Sequence, residues 1–136
     1  MSWVVDSCVI LDVALDDPTF GQRSAACVEA HLGEGLVACP VTLIEIVPEF
    51  GGNLEVVRRF LRQCGIESHQ PWCEQDTEHS ARGWVTYVRL KRSGQCGKRP
   101  LADLLIGGFA CRFQGIITRN GDHFRPYFPR LPIVEP

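Results

Sequence analysis

Trp3-Val4-Val5-Asp6-Ser7-Cys8-Val9-Ile10-Leu11 is the stretch whose reading decides the fold. Three β-prone apolar residues run directly into an acid, which is the pattern of a short buried strand ending at Asp6. The apolar residues then continue from Val9 to Leu15 at helical spacing, until Asp16-Asp17-Pro18 stops them. A strand has fed a helix, and a carboxylate stands at the junction. The same alternation recurs along the chain. Arg23 to Leu32 reads as a helix closed by Gly33 and Gly35, and Leu36 to Cys39 as a second buried strand ended by Pro40. Val41 to Val47 is β-branched, but its place between a strand and Gly51-Gly52 favours a helix that Thr42 would cap. Asn53 caps a clearer helix, with Leu54, Val57 and Leu61 on one face and Gly65 at its end. Ile66 to His69 is a short strand.

Residues 74–91 form a longer helix whose Ala81, Trp84, Val85 and Val88 recur at core spacing, which places Trp84 in the interior. A loop over Ser93 to Arg99 leads to Pro100, suited to the first helical position, and to a helix face of Leu101, Leu104, Leu105 and Phe109. Ile116-Ile117-Thr118 is a third apolar strand. Leu131-Pro132-Ile133-Val134 is a last one, at a sheet edge because of its proline. Strands alternating with helices predict an α/β three-layer sandwich: a central, mostly parallel sheet flanked by helices, in a single domain over residues 1–136. Such sheets bind ligands at the carboxyl ends of their strands.

Composition narrows the classes. The 136 residues are 45% hydrophobic and 22% charged, which excludes a disordered or coiled-coil chain. No apolar run approaches the roughly 18 residues a membrane span needs. Met1-Ser2-Trp3 lacks the basic-then-apolar pattern of a secretory signal, so a cytoplasmic protein with no membrane partner is expected. The seven cysteines are odd in number and contain no C-x-x-C pair, which argues against a zinc module. They are expected to be small buried reduced thiols, and His31 and His79 to be surface residues.

Charge is segregated. Residues 1–57 hold nine acids and one base, whereas residues 58–136 hold thirteen bases and seven acids. Between Glu78 and Asp103 there is no acid, while Arg82, Arg89, Lys91, Arg92, Lys98 and Arg99 fall there. An acid-free basic stretch points to a polyanionic partner.

Four acids stand where ligands are expected. Asp6 follows the first strand, and Glu45 lies in the helix after the second. Asp103 lies in the first turn of the helix before the third, and Asp122 shortly after that strand. The first three are flanked by apolar residues, and burying an unpaired anion costs several kcal/mol. Two accounts are open: each acid is a helix cap or is paired with a distant arginine, or the set converges on a divalent cation, for which carboxylate oxygens suit Mg²⁺ or Mn²⁺.

The opening stretch, with its strand-Asp-Ser, resembles the first motif of the PIN-domain family. Val41-Thr42-Leu43-Ile44-Glu45 resembles the second, Arg99-Pro100-Leu101-Ala102-Asp103-Leu104-Leu105-Ile106 the third, and Gly115-Ile116-Ile117-Thr118-Arg119-Asn120-Gly121-Asp122-His123-Phe124 the fourth. Order, spacing and length are similar to small VapC-type toxins over essentially the whole chain. The fourth motif departs from the usual pattern: the acid directly before Phe falls here on His123, with Asp122 one residue earlier.

The resemblance implies a PIN-like fold and a ribonuclease dependent on Mg²⁺ or Mn²⁺, the toxin of a type II toxin–antitoxin pair, leaving a 5′-phosphate and a 3′-hydroxyl. It assigns Asp6, Glu45, Asp103 and Asp122 as catalytic metal ligands, with Ser7, Thr118 and Asn120 supporting them. Arg82, Arg89, Arg92, Lys98 and Arg99 are candidate RNA phosphate contacts. A cognate antitoxin is the expected protein partner, with a homodimer, on the apolar helices at 9–15 and 41–61. The alternative is a degenerate PIN module that binds RNA or a protein without cutting.

Overall fold

A computed structural model describes residues 1–98 and 101–136. Arg99, expected to contact phosphate, and Pro100, expected to open a helix, lie outside the described residues. Five strands form one sheet: β1 (Trp3–Val5), β2 (Leu36–Val37), β3 (Ile66–Glu67), β4 (Gly115–Ile117) and β5 (Ile133–Val134), in the order β3-β2-β1-β4-β5. Every pairing among them is parallel. The apolar opening strand β1 is central, with Trp3 opposite both Leu36 and Gly115, and Val5 opposite Ile117. β5, after its proline, takes an edge.

Side chains on a strand alternate between faces, and that alternation builds two cores. Trp3 and Val5 pack with Ile10, Leu43, Leu61 and Ile117 on one face of the sheet. Val4 packs with Val37, Leu104, Phe109, Ile116 and Phe124 on the other. Helices α1 (Ser7–Ala14), α2 (Gly21–Ala30), α3 (Pro40–Ile46) and α4 (Leu54–Gln63) contribute to the first core. Helices α5 (Glu74–Arg92) and α6 (Leu101–Ala110) contribute to the second. The result is the expected three-layer α/β sandwich.

Local chemistry sets the helix ends. The Asn53 side chain accepts from the Glu55 and Val56 amides at 3.0 and 3.4 Å, as its capping position predicts. Pro40 does not end a strand but opens α3 as its first residue, where its missing N–H costs nothing, and Cys39 takes the cap expected of Thr42. Thr42 is instead fully buried.

The largest departure lies in α5. Trp84 is 42% exposed and Val85 64% exposed. The buried side of the helix is Asp76, Ser80, Gly83 and Tyr87. α6 explains the inversion. A Cβ on Gly108 would lie 2.7 Å from the backbone nitrogen of Ser80, so the glycine lets the two helices approach closely. Only small side chains fit at such a contact, and the large apolar ones turn outward. Buried Asp76 is neutralised by Arg112, with nitrogens 2.9 and 3.0 Å from its two oxygens. The cysteines also differ from expectation: all seven are free, but only Cys39 is fully buried and the rest are partly exposed.

Candidate active site

The carboxyl ends of β1 and β4 meet beneath the candidate site. The Asp6 amide donates to the Ile117 carbonyl at 3.0 Å, which joins the two strand ends. Asp6 is 4% exposed and caps α1, accepting from the Ser7 amide at 2.8 Å through Oδ1. Its Oδ2 accepts from the Thr118 hydroxyl at 2.7 Å. Thr118 is fully buried, and its oxygen in turn accepts from the Asn120 amide at 3.0 Å. Ser7, Thr118 and Asn120 are thus brought to Asp6, with Asn120 engaged through its backbone. The Cys8 thiol lies 3.5 Å from Asp6 Oδ2 and 3.6 Å from Thr118 Oγ1. Burial, and then the Asp6 charge, push that thiol up to about 11, so it stays protonated at neutral pH and is not a nucleophile.

Glu45, on α3, and Asp103, in the first turn of α6, complete the acidic group. Burial lifts the Glu45 carboxyl above its usual range, and the charges of Asp6 and Asp103 lift it further, against a hydrogen bond from Ser7. Glu45 is therefore within electrostatic reach of both Asp6 and Asp103. Asp103 Oδ2 lies 3.3 Å from Nδ1 of His123.

Asp122 is not brought to this group. Its side chain is 94% exposed and pairs with Arg125 at 3.1 Å, while the neighbouring His123 faces Asp103. The turn Gly121–His123 explains the exchange, because Phe124 behind it is fully buried and fixes which residue turns inward. The sequence signal for His123 is its place directly before that phenylalanine.

The other buried acids of the chain behave differently. Asp12 is held by Arg119 at 2.6 and 3.0 Å and by the Ser24 hydroxyl at 2.7 Å. Asp76 is held by Arg112. Among the described residues no arginine or lysine forms an ion pair with Asp6 or Glu45. Oxygen donors carrying uncompensated negative charge have the chemistry that suits a hard divalent cation. Among the described residues, though, no group of three or more His, Cys, Asp or Glu side chains is gathered tightly enough to hold an ion as it stands.

The candidate RNA contacts Arg82, Arg89, Arg92 and Lys98 are all exposed, and the first three lie on α5. Arg89 and Arg92 line one groove with Trp84, Val85 and Val88. Trp84 also lines a second, of about 460 Å³, with Val41, Trp72, Ala81, Leu101 and Leu105. That groove borders α3 and α6, the helices that carry Glu45 and Asp103. A separate apolar cavity of about 220 Å³ lies between α1, α2 and α4, lined by Ile10, Val13, Val28, Leu32 and Phe60. Among the described residues no helix is long and apolar enough to cross a membrane.

No protein-family model matches the chain. No curated protein matches it either. Among solved structures, the chain is similar to one in the crystal structure of VapBC2 from Rickettsia felis bound to a DNA fragment from their promoter. The two share 14% identity over 99% of this chain and 98% of that one, with a TM-score of 0.70. At that identity the likeness is one of fold, and it extends over the whole chain. The three-layer α/β architecture implied by the four motifs is the architecture observed, and that structure shares it.

Proposed function

We propose that the chain is a metal-dependent endoribonuclease, the toxin of a toxin–antitoxin pair. One observation carries the reading: among the described residues Asp6 is buried without a cationic partner, near a Glu45 carboxyl raised by burial and by the charges of Asp6 and Asp103, whereas buried Asp12 and Asp76 are clasped by arginine. Asp6, Glu45 and Asp103 would hold Mg²⁺ or Mn²⁺. When bound, such an ion screens the phosphodiester, lowers the pKa of a water and stabilises the leaving oxygen. The chain's own residues do the rest. Ser7 and Thr118 fix the two Asp6 oxygens, and Asn120 fixes Thr118. Arg82, Arg89, Arg92 and Lys98 draw the anionic strand toward an acidic site that would otherwise repel it. Trp84, exposed between arginines, offers a face for an unpaired base.

The apolar cavity between α1, α2 and α4 supports docking of a segment of the antitoxin that the VapC-type resemblance implies. Ile44 and Leu54, exposed within the 41–61 region, support contact with a second copy. The cytoplasm is the compartment that suits this role and the free thiols.

Cleavage of a panel of single-stranded RNAs with Mg²⁺ or Mn²⁺ tests the reading. The native chain should cut, and Asp6→Asn should lose at least about 100-fold of the rate while still binding RNA. The second reading, a module that binds without cutting, is favoured by the lack of a ready-made metal shell among the described residues. It prevails if the native chain cuts none of the panel with either ion.

A further inference from the structure

A cavity of about 500 Å³ lies between α5 and the segments that lead into β4 and β5. Phe113 precedes β4 and Pro132 precedes β5, so the cavity sits at the amino ends of those strands, away from the acids at the carboxyl ends. α5 gives it His79 and Arg82, which are three residues apart and so share a side of the helix. The segment before β5 gives it Phe128 and Arg130. The Phe128 ring is built into the fold. A Cβ at Gly83 of α5 would lie 2.6 Å from it, and Gly107 of α6 also leaves room for it. With half-buried Phe113 it forms an aromatic wall.

The polar side of the cavity is cationic. Among the described residues no Asp or Glu lines it, and none forms an ion pair with Arg82 or Arg130, both of which are exposed. Arg112, Arg119 and Arg125, by contrast, each answer a carboxylate. Burial pushes the Cys111 thiol in the cavity wall up to about 11 despite the nearby Arg82 charge, so that group stays neutral and does not repel an anion. His79 Nδ1 is buried with no hydrogen-bond partner among the described residues. An N–H there would be an orphan donor, so the neutral ring carries its proton on Nε2 and has that nitrogen as its donor. Two guanidinium forks suit a phosphate, whose near-double negative charge answers both cations where a carboxylate answers one. An aromatic wall suits a base. We propose that this cavity binds a nucleoside monophosphate, with its phosphate on Arg82 and Arg130 and its base against Phe113 and Phe128. The volume falls within the roughly 300–1,000 Å³ of small-molecule sites. The inference uses none of the acids and stands apart from the nuclease reading. It shares with that reading only Arg82, a candidate RNA contact that here faces a free ligand.

The experiment titrates the full chain with the common nucleoside 5′-monophosphates by calorimetry, without divalent ions so that the acidic site stays out of the measurement. At least one nucleotide should bind. Its nucleoside alone and inorganic phosphate alone should each bind at least about tenfold more weakly. Arg82→Gln and Arg130→Gln alter exposed side chains, and an unchanged Tm shows that both variants fold. Each should weaken nucleotide binding by about tenfold or more, the loss of one charge-assisted contact. Arg130→Gln should leave RNA cleavage unchanged. Binding of none of the nucleotides overturns the site, and so does equal affinity in the native chain and both variants. Phosphate binding as tightly as the nucleotide overturns the role of the aromatic wall and with it the assignment. If an RNA oligonucleotide displaces the nucleotide, and Arg130→Gln weakens both alike, the cavity belongs to the strand and the free ligand is overturned. None of these outcomes decides the nuclease reading, which Asp6→Asn tests separately.

Discussion

Asp6 caps α1 and Asp12 lies within it, and the two meet opposite fates. Asp12 is 3% exposed and answered by a two-pronged guanidinium, with Arg119 stacked 4.1 Å over the Phe20 ring. Removing one partner of such a pair strands a charge in the interior. Arg119→Ala should therefore lower unfolding free energy by about 3 kcal/mol, toward the lower end for a broken buried pair because Ser24 still donates to Asp12. Urea denaturation of the variant measures this. Glu45 carries the reverse sign. Its folded carboxyl titrates above its unfolded range, so the folded state binds the proton more tightly, and stability falls as pH rises from about the usual 4.5 through the raised value. Glu45→Gln should then raise Tm at pH 7 by about 2 °C, kept small by solvent screening of this partly exposed group. The gain should vanish near pH 4, and thermal scans of both proteins at the two pH values decide it. An acid whose removal stabilises the fold is held there for something other than the fold.

The meeting of α5 and α6 shows where sequence reading reaches its limit. The strand positions, the Asn53 cap and the acid at the end of β1 were legible because short-range chemistry decides them: β-branched runs, a side chain capping amides next to it, a polar residue ending an apolar segment. The Ala81-Trp84-Val85-Val88 spacing misled for a physical reason. Periodicity reports that a helix has an apolar stripe but not which neighbour will cover it. Here the covering contact is set by Gly108, distant in sequence, which admits Ser80, while Gly83 and Gly107 both make room for the Phe128 ring. The exchange of Asp122 for His123 has the same origin, since the anchoring of Phe124 across the core sets the turn's rotation. A Cβ at Gly108 would meet backbone atoms of Ser80 at 2.7 and 2.9 Å, which cannot swing aside as a side chain can. Gly108→Ala should destabilise the protein by about 1–3 kcal/mol, read as a lowered denaturation midpoint.

Across the whole molecule, acids dominate the first part of the chain and bases the second, and the fold sets the exposed arginines on α5. If that face carries RNA, binding should weaken steeply with salt. Measured with Asp6→Asn so that the strand stays intact, the plot of log affinity against log salt should flatten by about 0.7 for each of Arg89→Ala and Arg92→Ala. Trp84→Ala should cost about 1–3 kcal/mol of binding while leaving that slope unchanged, because stacking displaces no counterions. The topology has one more consequence. β1 is made well before its partner β4, which comes more than a hundred residues later, and Thr118, which secures Asp6, directly follows that strand. A nascent polypeptide still emerging from the ribosome therefore lacks the finished Asp6 site until Thr118 has been translated. If the proposed ribonuclease reading holds, the machinery that builds the protein is shielded from its product by the order in which that product is assembled.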